Sequence, residues 1–258
     1  MDAQVSSNMS LLANWDGNTT SRSGNLYNDC WGYVDGKGNE YAIIGSPEKI
    51  HFIDITNPST PILKNEFVGG SASLWRDMKT YDCYTYAVAD EGLEGLLIFD
   101  MSALPEGPIT KVLQDNSTFR KAHNIYVDAP NARLYIIGSD TRNNGLIVYD
   151  LSQDPANPVL LASVSLPGGY IHDLFVKDHI AYCSSGFNGL YIYDFEDPTD
   201  PIYKASISSD GYNHSCWLTE DGTKLIYAEE VPIGLPMRII DLAGICLLYT
   251  SPSPRDRG

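Results

Sequence analysis

Short apolar runs, each stopped by an aspartate and followed by prolines, recur along the chain. HFIDITNPSTPIL carries Asp54, LLIFDMSALPEGPI carries Asp100, LIVYDLSQDPANPVL carries Asp150, LYIYDFEDPTDPIY carries Asp194, and MRIIDL begins again at Asp241. The runs are β-rich, and no helical period extends across a unit. Their acids lie 46, 50, 44 and 47 residues apart. That period suits a four-stranded propeller blade of roughly 40–50 residues and is too long for a leucine-rich unit. The pattern predicts an all-β fold, a β-propeller of four-stranded antiparallel blades with about five blades in this chain.

The units place blades at residues 27–67, 74–113, 122–166, 170–207 and 212–242, within one domain spanning 9–242. Polar turns at Asp35-Gly-Lys-Gly, Asp128-Ala-Pro-Asn and Glu220-Asp-Gly separate the first two strands of their blades through ordinary hairpin chemistry. The fifth blade lacks an outer strand. MSLLANW, residues 9–15, matches the outer-strand text VLLASVS at 159–165, so it is expected to complete the last blade and hide its edge. Residues 243–258 fall outside the repeat, and CLLYTSPSPRD within them resembles translated sequencing-adapter text, so this tail is read as non-native. The start, Met1-Asp-Ala-Gln, has neither the basic nor the apolar region of a signal peptide.

Composition supports a folded β chain, with 43% hydrophobic residues, 17 tyrosines and 22 glycines among 258 residues. A net charge of −16 argues against nucleic acid and anionic membrane surfaces, which select basic patches. No apolar run approaches the ~20 residues of a membrane helix. A monomer is expected.

The repeat acids Asp54, Asp100, Asp150, Asp194 and Asp241 are read as turn formers: a carboxylate at a strand end, before Ser, Thr and Pro, accepts backbone N–H bonds. Asp194, followed by Phe-Glu-Asp, is expected to close its turn differently. A second register, 25, 23, 27, 22 and 27 residues before these acids, holds Asp29, Asp77, His123, His172 and His214. Arg76, Asn124 and Asp173 adjoin it. First strands of a propeller line its channel, so these residues are expected to converge on one mouth and form the ligand-binding site. His123, His172, His214 and Asp77 are the candidate metal ligands; imidazole with carboxylate suits zinc, manganese or iron, and carboxylates with backbone oxygens suit calcium. Two other readings stand beside this one, namely inter-blade hydrogen bonding and catalysis.

No G-x-S-x-G, H-E-x-x-H, P-loop or G-x-G-x-x-G motif occurs. Glu229 and Glu230 end a strand and read as solvated, with approach to the channel mouth as the other reading. Trp31, Trp75 and Trp217 read as inter-blade packing, with an aromatic rim for a sugar or peptide as the other reading. Cys30, Cys83, Cys183 and Cys216 permit disulfides without establishing them. Asn18, Asn116 and Asn213 head glycosylation sequons.

YNDCWGY, SLWRDMKTY, AHNIY, YIHDL and HSCWLTEDG, interleaved with LIVYD-type runs, resemble the LVIVD-repeat proteins of the choice-of-anchor B family over residues 9 to 242. The resemblance implies a bacterial secreted or cell-surface propeller, seven-bladed when complete, exported by a signal peptide and held by a C-terminal anchor. LIYAEEV departs from the family, which tends toward an Asp-Glu pair there. The resemblance carries no established activity. The expected function is binding, scaffolding or adhesion toward a protein, glycan or small molecule, and the rival is a metal-dependent hydrolase or lactonase-like enzyme using the same ring.

Overall fold

In a computed structural model of the chain, residues 9–141 and 145–242 are described. Five antiparallel sheets follow one another in chain order. The first contains β1 (Cys30–Val34), β2 (Glu40–Gly45), β3 (Lys49–Asp54) and β4 (Ile62–Val68). The second contains β5 (Arg76–Tyr81), β6 (Tyr84–Ala89), β7 (Leu96–Asp100) and β8 (Thr110–Asp115). The third contains β9 (Asn124–Asp128), β10 (Arg133–Ile137), β11 (Leu146–Asp150) and β12 (Val159–Val164), and the fourth β13 (Asp173–Lys177), β14 (Ile180–Ser184), β15 (Leu190–Asp194) and β16 (Ile202–Ile207). β17 (Asn213–Leu218), β18 (Lys224–Glu229) and β19 (Arg238–Asp241) form a fifth sheet of three strands. Within each sheet every strand pairs with its sequence neighbours, as an up-and-down blade requires.

Burial explains the apolar runs. β7, β11 and β15 sit third in their sheets and are buried on both faces except at the closing aspartate and at Tyr191, so they read as continuous hydrophobic text. The outer strands β4, β8, β12 and β16 are half-buried or exposed along most of their length. Tyr86, Ile98, Ile125, Leu134 and Ile147 join the second sheet to the third in one core cluster, and Tyr135, Val148, Leu174 and Cys183 join the third to the fourth.

The repeat acids close turns. Asp54, Asp100 and Asp150 accept the backbone N–H two residues on, at 3.0, 2.8 and 2.8 Å, from Thr56, Ser102 and Ser152. Asp194 does the same from Glu196 at 3.0 Å, contrary to the expectation that its turn would differ, because the donor is the backbone and the Ser or Thr side chain is not needed. Asp241 faces Lys224 at 3.5 Å, and the residue two positions on lies outside the described residues, as do all of the tail from 243 and Cys246.

Residues 9–15 form no strand, and among the described residues β19 pairs only with β18. The expected closing strand is replaced by a different packing. The Trp15 ring lies against His51 and Tyr27, with ring centroids 5.2 and 5.9 Å away. The Asn18 amide donates to the Thr20 and Leu26 carbonyls, both at 2.7 Å, and folds the segment back beside the first sheet. The half-buried Trp15 indole gains apolar and aromatic contact from His51 and Tyr27 in this arrangement.

First strands pack in chain order, β1 on β5, β5 on β9, β9 on β13 and β13 on β17; among the described residues no comparable packing joins β17 to β1. Their starts define one mouth of a central space and their ends the other.

Candidate functional site: a histidine-lined channel mouth

The starts of all five first strands line a cavity of about 490 Å³, with Asp29, Trp75, Asp77, His123, His172 and His214 on its wall. Two tiers are distinguishable within it.

The tier at the first strand positions ties blades together. Asp77 accepts the Ile125 N–H at 2.9 Å and the Lys79 ammonium at 2.5 Å. The Asn124 amide donates to Asp173 at 3.1 Å. Lys79 stands 3.9 Å from Asp29 and over the Trp31 ring, 4.5 Å from its centroid. Burial pushes the Asp173 carboxyl up to about 6, opposed by the Leu174 N–H and neighbouring cations, and pushes Asp77 upward as well, opposed by Lys79. Asp77 therefore does not serve as a partner of the imidazoles; its carboxylate is committed to the neighbouring blade. Arg76 is also committed elsewhere. Its guanidinium, 1% exposed, donates to the carbonyls of Ser46, Gly69, Pro47 and Ser71 at 3.0, 2.6, 3.0 and 2.7 Å. Burial pushes it down to about 10, so it stays charged at neutral pH.

The second tier is imidazole. His123 and His172 precede β9 and β13, and their Nε2 atoms stand 3.3 Å apart. The His123 Nδ1 meets Asp90 at 3.0 Å and the His172 Nδ1 meets the Tyr212 hydroxyl at 3.1 Å. Since a carboxylate accepts, His123 donates from Nδ1. Tyr212, His172, His123 and Asp90 thus form one hydrogen-bonded line that spans four sheets. The His214 ring lies 4.6 Å from that of His172. A β-bulge puts it there: Asn213 pairs with Glu229 and Ser215 with Ala228, leaving His214 as the extra residue. Ring nitrogens of His172 and His214 and a Glu230 carboxylate oxygen all lie within 4.8 Å of one another. Burial holds the His172 imidazole down at about 3, with His123 and His214 adding to the effect, so the ring is neutral. Gly138 makes room for His123. Its φ is +63°, and a Cβ there would stand 2.8 Å from the His123 Cβ.

Asp90, Tyr212 and Glu230 complete this constellation and were not among the expected site residues. Asp90 and Glu230 each follow the last residue of a second strand, β6 and β18, a register that an alignment on first strands does not inspect. Glu229, by contrast, caps the preceding loop, accepting from Ser209, Asp210 and Gly211 at 2.6, 2.8 and 3.0 Å. Glu230 is exposed, as a solvated strand end is, and faces the imidazoles of His172 and His214.

At the other ends of the first strands, Trp31, Tyr126, Phe175 and Trp217 line a second concavity of about 580 Å³. Trp217 remains 55% exposed beside Phe175. Asn213 is buried and Asn18 is nearly so, so the acceptors of two of the three sequons are enclosed in the folded chain, while Asn116 is exposed. The four described cysteines carry free thiols.

Antiparallel sheets in sequence order, packed through their first strands around a polar mouth, define a β-propeller. The LVIVD repeat is matched at residues 37–68 and 168–208. No curated protein matches it in sequence. Among solved structures it resembles a functionally unknown protein from Desulfotomaculum acetoxidans, at 13% identity and TM-score 0.60, with 83% of this chain and 65% of that one covered. The periplasmic gluconolactonase of Pseudomonas aeruginosa aligns at 10% identity and TM-score 0.57, covering 86% and 73%. A putative 6-phosphogluconolactonase from Bacteroides uniformis aligns at 11% identity and TM-score 0.60, covering 77% and 62%. At these identities the likeness is one of fold, and the chain spans less than two thirds of the first and third of these proteins.

Proposed function

We propose that this propeller is a binding module of the cell surface or extracellular space, which takes its ligand at the histidine-lined mouth as a scaffold or adhesin does. The observation that supports this is the convergence of His123, His172 and His214 with exposed Trp75 around an open cavity that no serine, threonine or cysteine lines among the described residues. Aromatic and polar groups around an open concavity suit a glycan or peptide, while acyl transfer through a covalent intermediate needs a nucleophile beside a base. The LVIVD repeat and the resemblance to choice-of-anchor B proteins support the location.

A lactonase-like hydrolase is the second reading, favoured by the two fold neighbours named as lactonases. Surface plasmon resonance against glycan and peptide panels separates the two when paired with δ-gluconolactone and p-nitrophenyl acetate assays. The expected result is a bound glycan or peptide, lost in Trp75→Ala and His123→Ala at unchanged melting temperature, with no turnover. Turnover that disappears in His123→Ala would replace binding with catalysis.

A further inference from the structure

We propose that His172, His214 and Glu230 bind a first-row transition-metal dication at the channel mouth, with His123 and Tyr212 orienting His172. This deepens the reading of the mouth as a binding site and rests on it. The ligand set differs from the one the repeat register suggests: Glu230 enters, Asp77 leaves, and His123 becomes an orienting partner instead of a ligand.

Three features carry the inference. First, two nitrogens and one carboxylate oxygen lie within 4.8 Å of one another, so modest side-chain rotation brings them to the ~2.0–2.2 Å bond lengths of such an ion. Three protein ligands leave a position open, as in sites that also engage a small molecule.

Second, the outer partners of His172 are already in place. Whichever ring nitrogen of His172 faces the ion, the other has an acceptor within reach: the Tyr212 oxygen for Nδ1 at 3.1 Å, or the His123 Nε2 for Nε2 at 3.3 Å. His123 is in turn fixed by Asp90 at 3.0 Å. Such partners set the tautomer and ring orientation of a ligating histidine. Binding the ion exchanges one existing hydrogen bond of His172 for a metal bond and keeps the other.

Third, the bulge in β17 has no role in the sheet's own pairing, which it interrupts; what it accomplishes is to carry His214 to His172. Two imidazoles to one carboxylate select zinc, cobalt, nickel, copper or iron rather than calcium or magnesium, which prefer all-oxygen shells.

The test is equilibrium dialysis of the chelator-stripped full chain against Co(II), Zn(II) and Ca(II), followed by metal analysis and visible absorption of the Co(II) form. We expect about one Co(II) or Zn(II) per chain, no competition from Ca(II), and a loss of at least ~10-fold in affinity in Glu230→Gln and in His214→Gln. His123→Ala is expected to weaken binding ~10–100-fold while keeping the Co(II) band positions, since it removes an orienting partner. His179→Ala, in the turn between β13 and β14 and against Arg133, is the remote control. Melting temperatures report folding, and Glu230→Gln at an exposed site retains the fold. A wild-type chain that binds no stoichiometric Co(II) or Zn(II), or folded variants with undiminished affinity, overturns the inference. Glycan or peptide binding that persists in the metal-free wild type leaves the binding function standing and removes only the metal.

Discussion

Arg76 is a cation almost wholly removed from water, and its partners are four neutral carbonyl oxygens. Gly69 permits this, since a Cβ there would stand 2.7 Å from a guanidinium nitrogen. Truncating the side chain strands buried carbonyls and opens a cavity between the first two sheets. Arg76→Ala is therefore expected to cost about 3–5 kcal/mol in urea denaturation, the range of the more severe core and hydrogen-bond losses. A cost below about 1 kcal/mol would show that water restores these bonds. His51 is likewise buried, in β3, and pushed down by desolvation; it packs against Trp15, away from the mouth.

Among the elements, the hairpin between β1 and β2 depends on one carboxylate. Burial works against ionisation of Asp35, yet its pKa is lowered, because the Asn39 amide, the Asn39 and Lys37 N–H groups and the Tyr41 hydroxyl all donate to it, at 2.9, 2.9, 2.8 and 3.2 Å. With the folded value below the unfolded value of about 3.9, this stabilisation is complete above that value and disappears as pH falls through the folded one. The melting-temperature gap between wild type and Asp35→Ala is thus expected to be constant from pH 5 to 7 and to close as pH falls below about 4. A gap independent of pH would assign the hairpin's stability to the Tyr41 packing instead. The turn was legible in Asp35-Gly-Lys-Gly because its donors are local in sequence. The bulge at His214 was not, since it is defined by which residues of β18 lie opposite.

For the whole molecule, the five sheets are unequal. β11 is buried between two strands, while β19 is paired on one side only and leaves Ile239 65% exposed. Amide hydrogen exchange is expected to be at least tenfold faster across β18 and β19 than across β10 and β11, because edge strands with few buried contacts open at low cost. Equal protection in the two sheets would mean that a further segment covers the β19 edge. The negative charge is also unevenly used. Asp77, Asp90 and Asp173 are held by donors at the mouth, whereas Asp54 and Asp100 do turn work at the rim.

What the amino-acid sequence determined by itself is whatever repeats. The runs ending in Asp54, Asp100, Asp150 and Asp194 specify blade, third strand and turn because each depends on neighbours a few residues away. The same periodicity placed His123, His172 and His214 together, since equivalent positions in successive blades face one axis. The tertiary structure decided the rest. Only packing shows that Arg76, Asp77, Asn124 and Asp173 are engaged by the neighbouring blade, that Trp15 prefers His51 and Tyr27 to an open sheet edge, and that Asp90 and Glu230 meet the histidines from the ends of other strands. Those contacts join residues dozens of positions apart, and hydrogen-bond commitment is a property of the pair.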